Sequence, residues 1–487
     1  MKEVVIGLDI GTTSVKAVVF DLNGNVVTEF EDFVHTYYPN PTYVEQKPLD
    51  IERSTRKVLR EAFVNTTDCN VLAVGLSCAM HSLICVDANG NPLTDMLIWS
   101  DGRSSEIADE MDENVKKEIY KKTGTPIHPM SPLLKLMWMK KYDFQQYHEA
   151  TYFMSMKEYL LYTWCKKRWI DYSMASATGL MNIHKLDWDE DALQLAGVER
   201  KQISEIVSPT AILPDVEEEI KRDLQWPLGT KLVIGAADGQ LANLGDGAIK
   251  PGEVAISVGT SGAIRQLING QHVNDNGETF SYAFTDTTSI VGGPTNNGGI
   301  VLQWLKDMVE FEGTHEQFLE GADTVSVGAD GLFFVPYVNG ERAPVWNQQA
   351  RGNFYGLSII HTRKYLVRAV LEGIVFNLYQ IGQSLEEIAG PPTSISVNGG
   401  LSKSALWVQI VADVFGKEIQ LSGTHHGAAW GASWTALVAM DKVESFEQIK
   451  QHIPIEKVVQ PNLTNHEQYA RIFVKYQHIA KDIEKFF

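Results

Sequence analysis

Two apolar runs, residues 4–10 and 15–20, flank the polar turn Gly11-Thr12-Thr13-Ser14. The same arrangement comes back about half the chain later, where residues 254–258 lead through Gly259-Thr260-Ser261-Gly262 into Ala263-Ile264. A strand–turn–strand unit at the start of each half points to an internal duplication. A chain of 487 residues is also longer than one hydrophobic core usually serves. The expected organisation is α/β, with one domain over 1–245 and a second over 246–487.

Composition narrows the functional classes. Asp and Glu outnumber Lys and Arg by 61 to 42, a formal charge of −19. That field repels nucleic-acid backbones and anionic lipid, so neither nucleic acid nor a membrane is expected as a partner. An anionic ligand then has to be held by local amides, a metal ion or a few placed cations. The cysteines, Cys69, Cys78, Cys85 and Cys165, form no CxxC pair and read as reduced core residues of a cytoplasmic protein. Residues 69–86 are uncharged, but Asn70, Ser77, His81 and Ser82 interrupt them, so two buried strands are expected there, not a membrane span.

Local signals place the other elements. Asn23-Gly24 marks a tight turn, and Asp50 reads as the N-cap of a helix reaching residue 60. Residues 104–230 read as mostly helical. Asp187-Trp188-Asp189-Glu190-Asp191 mimics a Ca²⁺ loop, but Ala192 stands where glycine is needed, so an acidic helix start closed by Gly197 is expected. Leu366, Val370, Ile374, Leu378, Ile381 and Leu385 recur at helical spacing and predict a helix over 362–389. A strand at 395–397, the turn Asn398-Gly399-Gly400 and a helix over 403–415 follow.

The two Gly-Thr turns suit phosphate oxygens, because glycine lets successive N–H groups aim inward and the hydroxyls add donors. No P-loop motif occurs, so a nucleotide site here is built differently. Asp9 is an isolated carboxylate at the end of an apolar strand, where a Mg²⁺ ion or its water shell would compensate its burial. An ordinary hairpin, with Asp9 satisfied by turn amides, explains the first turn equally well. Asp238, between Ala237 and Gly239, is a candidate general base, or else an N-cap.

Taken in order, these motifs resemble the FGGY carbohydrate kinases across nearly the whole chain. Residues 7–21 and 258–262 match the family's two phosphate motifs, 235–239 the segment with its catalytic aspartate, 336–344 a further loop, and 398–416 its C-terminal signature. The resemblance implies two ribonuclease H-like (actin-like ATPase) domains with a cleft between them, ATP and Mg²⁺ as cofactors, and a small-molecule sugar or sugar acid as acceptor. It implies Asp238 as the base and Asp9 as the metal residue. It also implies Thr12, Thr13, Ser14, Lys16, Gly259, Thr260, Gly299, Gln303, Gly400 and Ser404 around the nucleotide, Ser404 standing where relatives often have Asn. Met80, His81, Asp101, Arg103 and Asp238 would line the acceptor pocket. A homodimer is left open as the assembly.

Residues 79–83, 99–104, 125–132 and 175–180 resemble the gluconate-phosphorylating branch, while xylulose kinases carry a similar Met-His and Trp-x-Asp-Gly-Arg. Gluconate to 6-phosphogluconate is the expected reaction, with xylulose or another polyol as the alternative acceptor. Arg103, His81 and His128 are candidates for holding the carboxylate; Arg103 alternatively pairs with Asp101. A conformational switch ATPase, built on the same hairpins without sugar transfer, is the alternative from another class.

Overall fold

The computed structural model describes residues 1–423 and 426–487. β1 (Lys2–Ile10) and β2 (Ser14–Asp21) pair antiparallel across the first Gly-Thr turn, Asp9 opposite Lys16. β3 (Val26–Phe33) extends the edge after a turn in which Gly24 takes φ +86°. α1 (Pro48–Val64) packs on β2 and β3 and returns the chain to β4 (Cys69–Cys78), parallel to β1. After a long excursion β5 (Lys231–Ala237) lies parallel to β4 and feeds α2 (Asp238–Gly245). The sheet order is β5-β4-β1-β2-β3.

The second half repeats this plan. β6 (Glu253–Val258) and β7 (Gly262–Asn269) form the antiparallel hairpin across the second Gly-Thr turn. β8 (Phe280–Ala283) and β9 (Thr288–Thr295) extend it on the β7 side, and α3 (Gly299–Met308) and α4 (Arg363–Ala389) follow. β10 (Ser394–Gly399) is parallel to β6. After α5 (Ala405–Phe415), β11 (Ile419–Ser422) is parallel to β10. α6 (Gly427–Ala439) and the edge strand β12 (Ile455–Val459) come last, and the order is β8-β9-β7-β6-β10-β11-β12. In both sheets a hairpin's first strand receives two later parallel strands on its free side. This shared order is the ribonuclease H-like arrangement expected of each half.

Strands covered on both faces explain the continuous apolar runs. Val4, Ile6, Leu8 and Ile10 of β1 enter the first core, while Val5 points to a separate cluster under α6. α6 therefore packs on the sheet of the first half, though it lies in the second half of the chain. Glycines make that contact: a Cβ on Gly7 would stand 2.0 Å from the Ala429 carbonyl oxygen, and one on Gly75 2.1 Å from that of Ala432. The sequence division at 245/246 thus separates α6 from the sheet it covers.

Some local expectations change. α1 begins at Pro48 with Lys47 in the cap position, and Asp50 sits in its first turn. Proline pre-sets φ and lacks the N–H that a helix start leaves unpaired, so it wins the N1 position. Residues 104–230 mix short helices with short strands such as Trp169–Asp171 and Glu205–Val207, which pair with each other. The acidic stretch is a helix start: Asp189 caps Glu190–Ala196, and Gly197 closes it at φ +70°. α5 starts two residues later than expected because Ser404 caps it. Among the described residues no helix is long and apolar enough to cross a membrane.

Candidate active site

Between the two halves lies a cavity of about 330 Å³. Met80, His81, Trp99, Met130 and Asp238 line it from the first half. The turn after β6, with Arg265, Phe280, Tyr282 and Arg342, lines it from the second.

Asp238 is the first residue of α2, and the cap position belongs to Ala237. Its carboxylate accepts the Gly239 N–H at 2.7 Å. Burial, then the nearby charge of Asp9, raise its pKa to about 6. A buried network sets the end of β5: the Ala237 N–H donates to Ser173 Oγ at 2.8 Å, and Ser173 Oγ donates to Asp171 at 2.5 Å. Lys157 Nζ bonds Asp171 at 2.7 Å and the carbonyls of Ile234 and Ala236 at 3.1 and 2.9 Å. A carboxylate on a strand end held this firmly keeps its direction.

Asp9 accepts from Ser77 Oγ at 2.7 Å, and burial raises its pKa against the pull of that bond and of Lys16. Beside it, Ser14 Oγ donates to Glu31 at 2.6 Å, and Lys16 Nζ lies 3.3 Å from the same carboxylate. Both expected phosphate donors are thus engaged with Glu31, on the neighbouring strand β3. Thr12 is half-buried and Thr13 exposed, and in the second turn Gly259 and Thr260 are exposed.

Gly299 packs the start of α3 against the second turn. Its N–H donates to the Gly259 carbonyl at 2.7 Å, and a Cβ there would meet the same oxygen at 2.7 Å. Gln303 Nε2 bonds Asp307 at 2.6 Å, and Ser404 Oγ accepts the Trp407 N–H at 3.3 Å as the cap of α5. Gly400 is exposed and follows Gly399, which takes φ +81° at the end of β10.

His81 takes φ +67°, its carbonyl held by Lys135 Nζ at 2.6 Å. Its Nδ1 lies 2.8 Å from the Ala177 carbonyl oxygen. Nδ1 must therefore carry the proton, which leaves Nε2 as an acceptor. Burial pushes the His81 pKa down to about 3, and that of His128 likewise. Both imidazoles are neutral, so neither is the cation expected for a carboxylate.

Asp101 and Arg103 are brought together, but not into the cavity. Arg103 Nε and Nη2 both bond Asp101 at 2.8 Å, Asp101 also accepts the Val44 N–H at 2.7 Å, and Arg103 further pairs with Glu45. The guanidinium stacks 3.9 Å from the Tyr43 ring centroid. The structural ion pair is the reading these contacts support, because the pair satisfies itself. Replacing Arg103 by alanine leaves Asp101 buried without its partner, so a loss of about 3–5 kcal/mol is expected. Denaturant unfolding would read it, with the acceptor KM of the folded fraction unchanged; a large KM change at constant stability would restore Arg103 to the pocket.

Arg265 and Arg342, which line the cavity, were missed by the motif reading. Arg265 follows the second turn by three residues, at the alternate position of β7 that shares a face with Ala263 and Leu267. That alternation was available in the sequence. Arg342 lies in a loop whose resemblance was visible, but only its fold over Trp99 turns it to the cavity, with the guanidinium 4.8 Å from that ring centroid.

Comparison with known proteins agrees with the two-part fold. Residues 4–245 match the N-terminal domain of the FGGY family of carbohydrate kinases, and residues 254–440 match its C-terminal domain. The gluconokinase of Bacillus subtilis (strain 168) is 39% identical over 477 residues, covering 94% of this chain and 93% of its own. A crystal structure of gluconate kinase from Lactobacillus acidophilus superposes with a TM-score of 0.95 at 32% identity, covering 100% of both chains. A ligand-bound xylulose kinase from the same organism also gives 0.95 at 32%, covering 99% of this chain and 98% of its own.

Proposed function

The chain belongs to the FGGY family of carbohydrate kinases, and from that premise we propose that it transfers the γ-phosphoryl group of ATP to O6 of D-gluconate, giving ADP and 6-phosphogluconate. Family membership sets the switch-ATPase alternative aside. The observation that carries the site is that Asp238, His81 and the second Gly-Thr turn line one cavity between the halves.

In the proposed reaction the O6–Pγ bond forms as the bond from Pγ to the bridging oxygen breaks, and Asp238 takes the O6 proton. With a pKa raised to about 6, the carboxylate is mostly ionised at neutral pH, yet more basic than an exposed one. Met80 and His81 position the acceptor, with His81 Nε2 accepting a sugar hydroxyl. Thr12 and Thr13 on one side, and Gly259 and Thr260 on the other, take phosphate oxygens, while Gly400 lets backbone approach the nucleotide. Phosphoryl transfer rests mainly on such positioning and charge stabilisation.

Asp9 suits Mg²⁺. The Asp9 charge pushes up the pKa of the Asp238 carboxylate, a like-charge pair that a cation would relieve, and among the described residues no group of three or more His, Cys, Asp or Glu forms a closed cage. One carboxylate plus substrate phosphates and water is how Mg²⁺ is commonly held, and the ion neutralises charge on the phosphates. Asp9→Asn is expected to raise the Mg²⁺ concentration needed for half-maximal rate by about tenfold or more; an unchanged metal titration would remove Asp9 from that role.

Xylulose is the second acceptor reading, since a xylulose kinase superposes equally well. Initial rates with gluconate, D-xylulose, glycerol, ribulose and fuculose decide between them. Gluconate is expected to give the highest kcat/KM, and a higher value for a neutral sugar would reassign the acceptor.

A further inference from the structure

Two guanidinium groups face the cavity without a carboxylate in contact. Among the described residues no ion pair within 4 Å holds Arg265 or Arg342, and Nε of each is buried with no hydrogen-bond partner. The negative charges that act on them from farther off are Asp238 and Asp246 for Arg265, and Glu341 for Arg342. The remaining contact is a long one, from Arg342 Nη2 to the Thr295 carbonyl at 3.4 Å. Glu341, the acidic neighbour of Arg342, is fully engaged. It accepts from Thr295 Oγ1, Asn297 Nδ2 and Asn377 Nδ2 at 2.7, 3.0 and 2.9 Å, and from the N–H groups of Asn296 and Arg342 at 3.1 and 2.7 Å.

The surroundings are built to receive these cations. Arg265 lies over Gly239, where a Cβ would stand 3.2 Å from its Nε and 3.4 Å from its Nη2. On the neighbouring strand Gly292, opposite Arg265, makes room for the stem: a Cβ there would be 3.0 Å from its Cγ. Arg342 rests on Trp99, and Phe280, Tyr282 and Met130 complete an apolar wall. Leaving two cations unpaired at such a wall is costly, and their charges repel. Burial pulls the Arg342 pKa down to about 10, with Glu341 opposing the fall and Arg265 adding to it.

We infer that Arg265 and Arg342 together hold the carboxylate of the acceptor, which makes sugar acids, not neutral ketoses or polyols, the substrate class of this cavity. The inference rests on the kinase reading above and deepens it. A carboxylate offers two oxygens to two forked donors, and its charge relieves the repulsion between them. A neutral sugar leaves both guanidiniums unpaired, so the site discriminates by what it fails to satisfy. The transferred phosphoryl group is the competing anion. The Gly-Thr turns already present donors to it, whereas Arg342 sits on the Trp99 and Tyr282 side with His81.

Calorimetric titration of gluconate into the full chain without nucleotide separates these roles. The unmodified protein is expected to bind gluconate and to bind D-glucitol, which has a hydroxymethyl group in place of the carboxylate, far more weakly. Arg265→Gln and Arg342→Gln should each raise the gluconate Kd by about 100-fold, with the unfolding midpoint checked for each. Arg265→Lys should recover only part of the loss, since it keeps the charge but not the fork. If Arg342→Gln does not fold, Arg342→Lys and the Arg265 variants carry the test. An unchanged gluconate Kd alongside a lowered kcat would put the guanidiniums on the phosphoryl group and overturn the inference, leaving the gluconate reading intact. An unmodified chain that ignores gluconate and phosphorylates a neutral ketose would remove both.

Discussion

Asp238→Ala is expected to lower sugar phosphorylation by about 1,000-fold and to leave ATP binding nearly unchanged. The side chain removed is the carboxylate proposed to take the acceptor proton, while the proposed phosphate contacts lie on two separate turns. The Asp171–Lys157 network bonds to the backbone of β5 and to Ser173, not to the Asp238 carboxylate, so the fold survives the change. Measured kcat with gluconate, set against the Kd of ATP from titration, reads both parts. An unchanged turnover number would exclude Asp238 as the base. The pH profile adds a second check. Because the Asp238 pKa is raised to about 6, the base is ionised above that pH and protonated below it. kcat/KM should therefore fall about tenfold per unit on the acid side of that value. In Asp9→Asn the like charge is gone, so the acid limb of the residual activity moves to lower pH.

Gly7→Ala should be strongly destabilising for a single added methyl group. A Cβ at position 7 would stand 2.0 Å from the Ala429 carbonyl oxygen and 2.6 Å from its carbon. Both atoms are backbone, so no rotamer relieves the clash. β1 cannot retreat, because it is paired to β2 on one side and β4 on the other. The loss should exceed the roughly 1–3 kcal/mol usual for overpacking and appear as a lower thermal midpoint with α6 displaced from the sheet. Gly259→Ala is the comparison: no atom lies within 4 Å of a Cβ there, so its midpoint should stay near that of the unmodified chain. Equal midpoints for both variants would contradict the close packing of α6 on β1.

The same glycines show where sequence reading stops. The hairpins were legible because each strand pair and its turn are local, and the repeat pointed to an internal duplication, while the ribonuclease H-like fold followed only from the family resemblance. α4 was legible because its apolar positions keep helical spacing over its length. The reach of α6 to the other half's sheet was not, since Gly7 and Ala429 are distant in sequence and small residues carry no periodic signal. Of the cavity-lining residues, Asp238 stood out in the sequence as a lone carboxylate after a strand, and Met80 and His81 only through the family resemblance. For Arg103 the sequence left two readings open, the acceptor pocket and an ion pair with Asp101, and only the fold adds Glu45 as a second carboxylate on it. Arg265 and Arg342 escaped because the cavity wall is assembled from both halves, and only the fold shows which cations lack partners.

The central claim is tested most directly by counting products. The full chain is given ATP and Mg²⁺, with and without gluconate, and ADP and 6-phosphogluconate are measured together. ATP turnover should be slow alone, rise strongly with gluconate, and yield the two products one for one. ADP formation indifferent to gluconate and to every neutral sugar tried would contradict it.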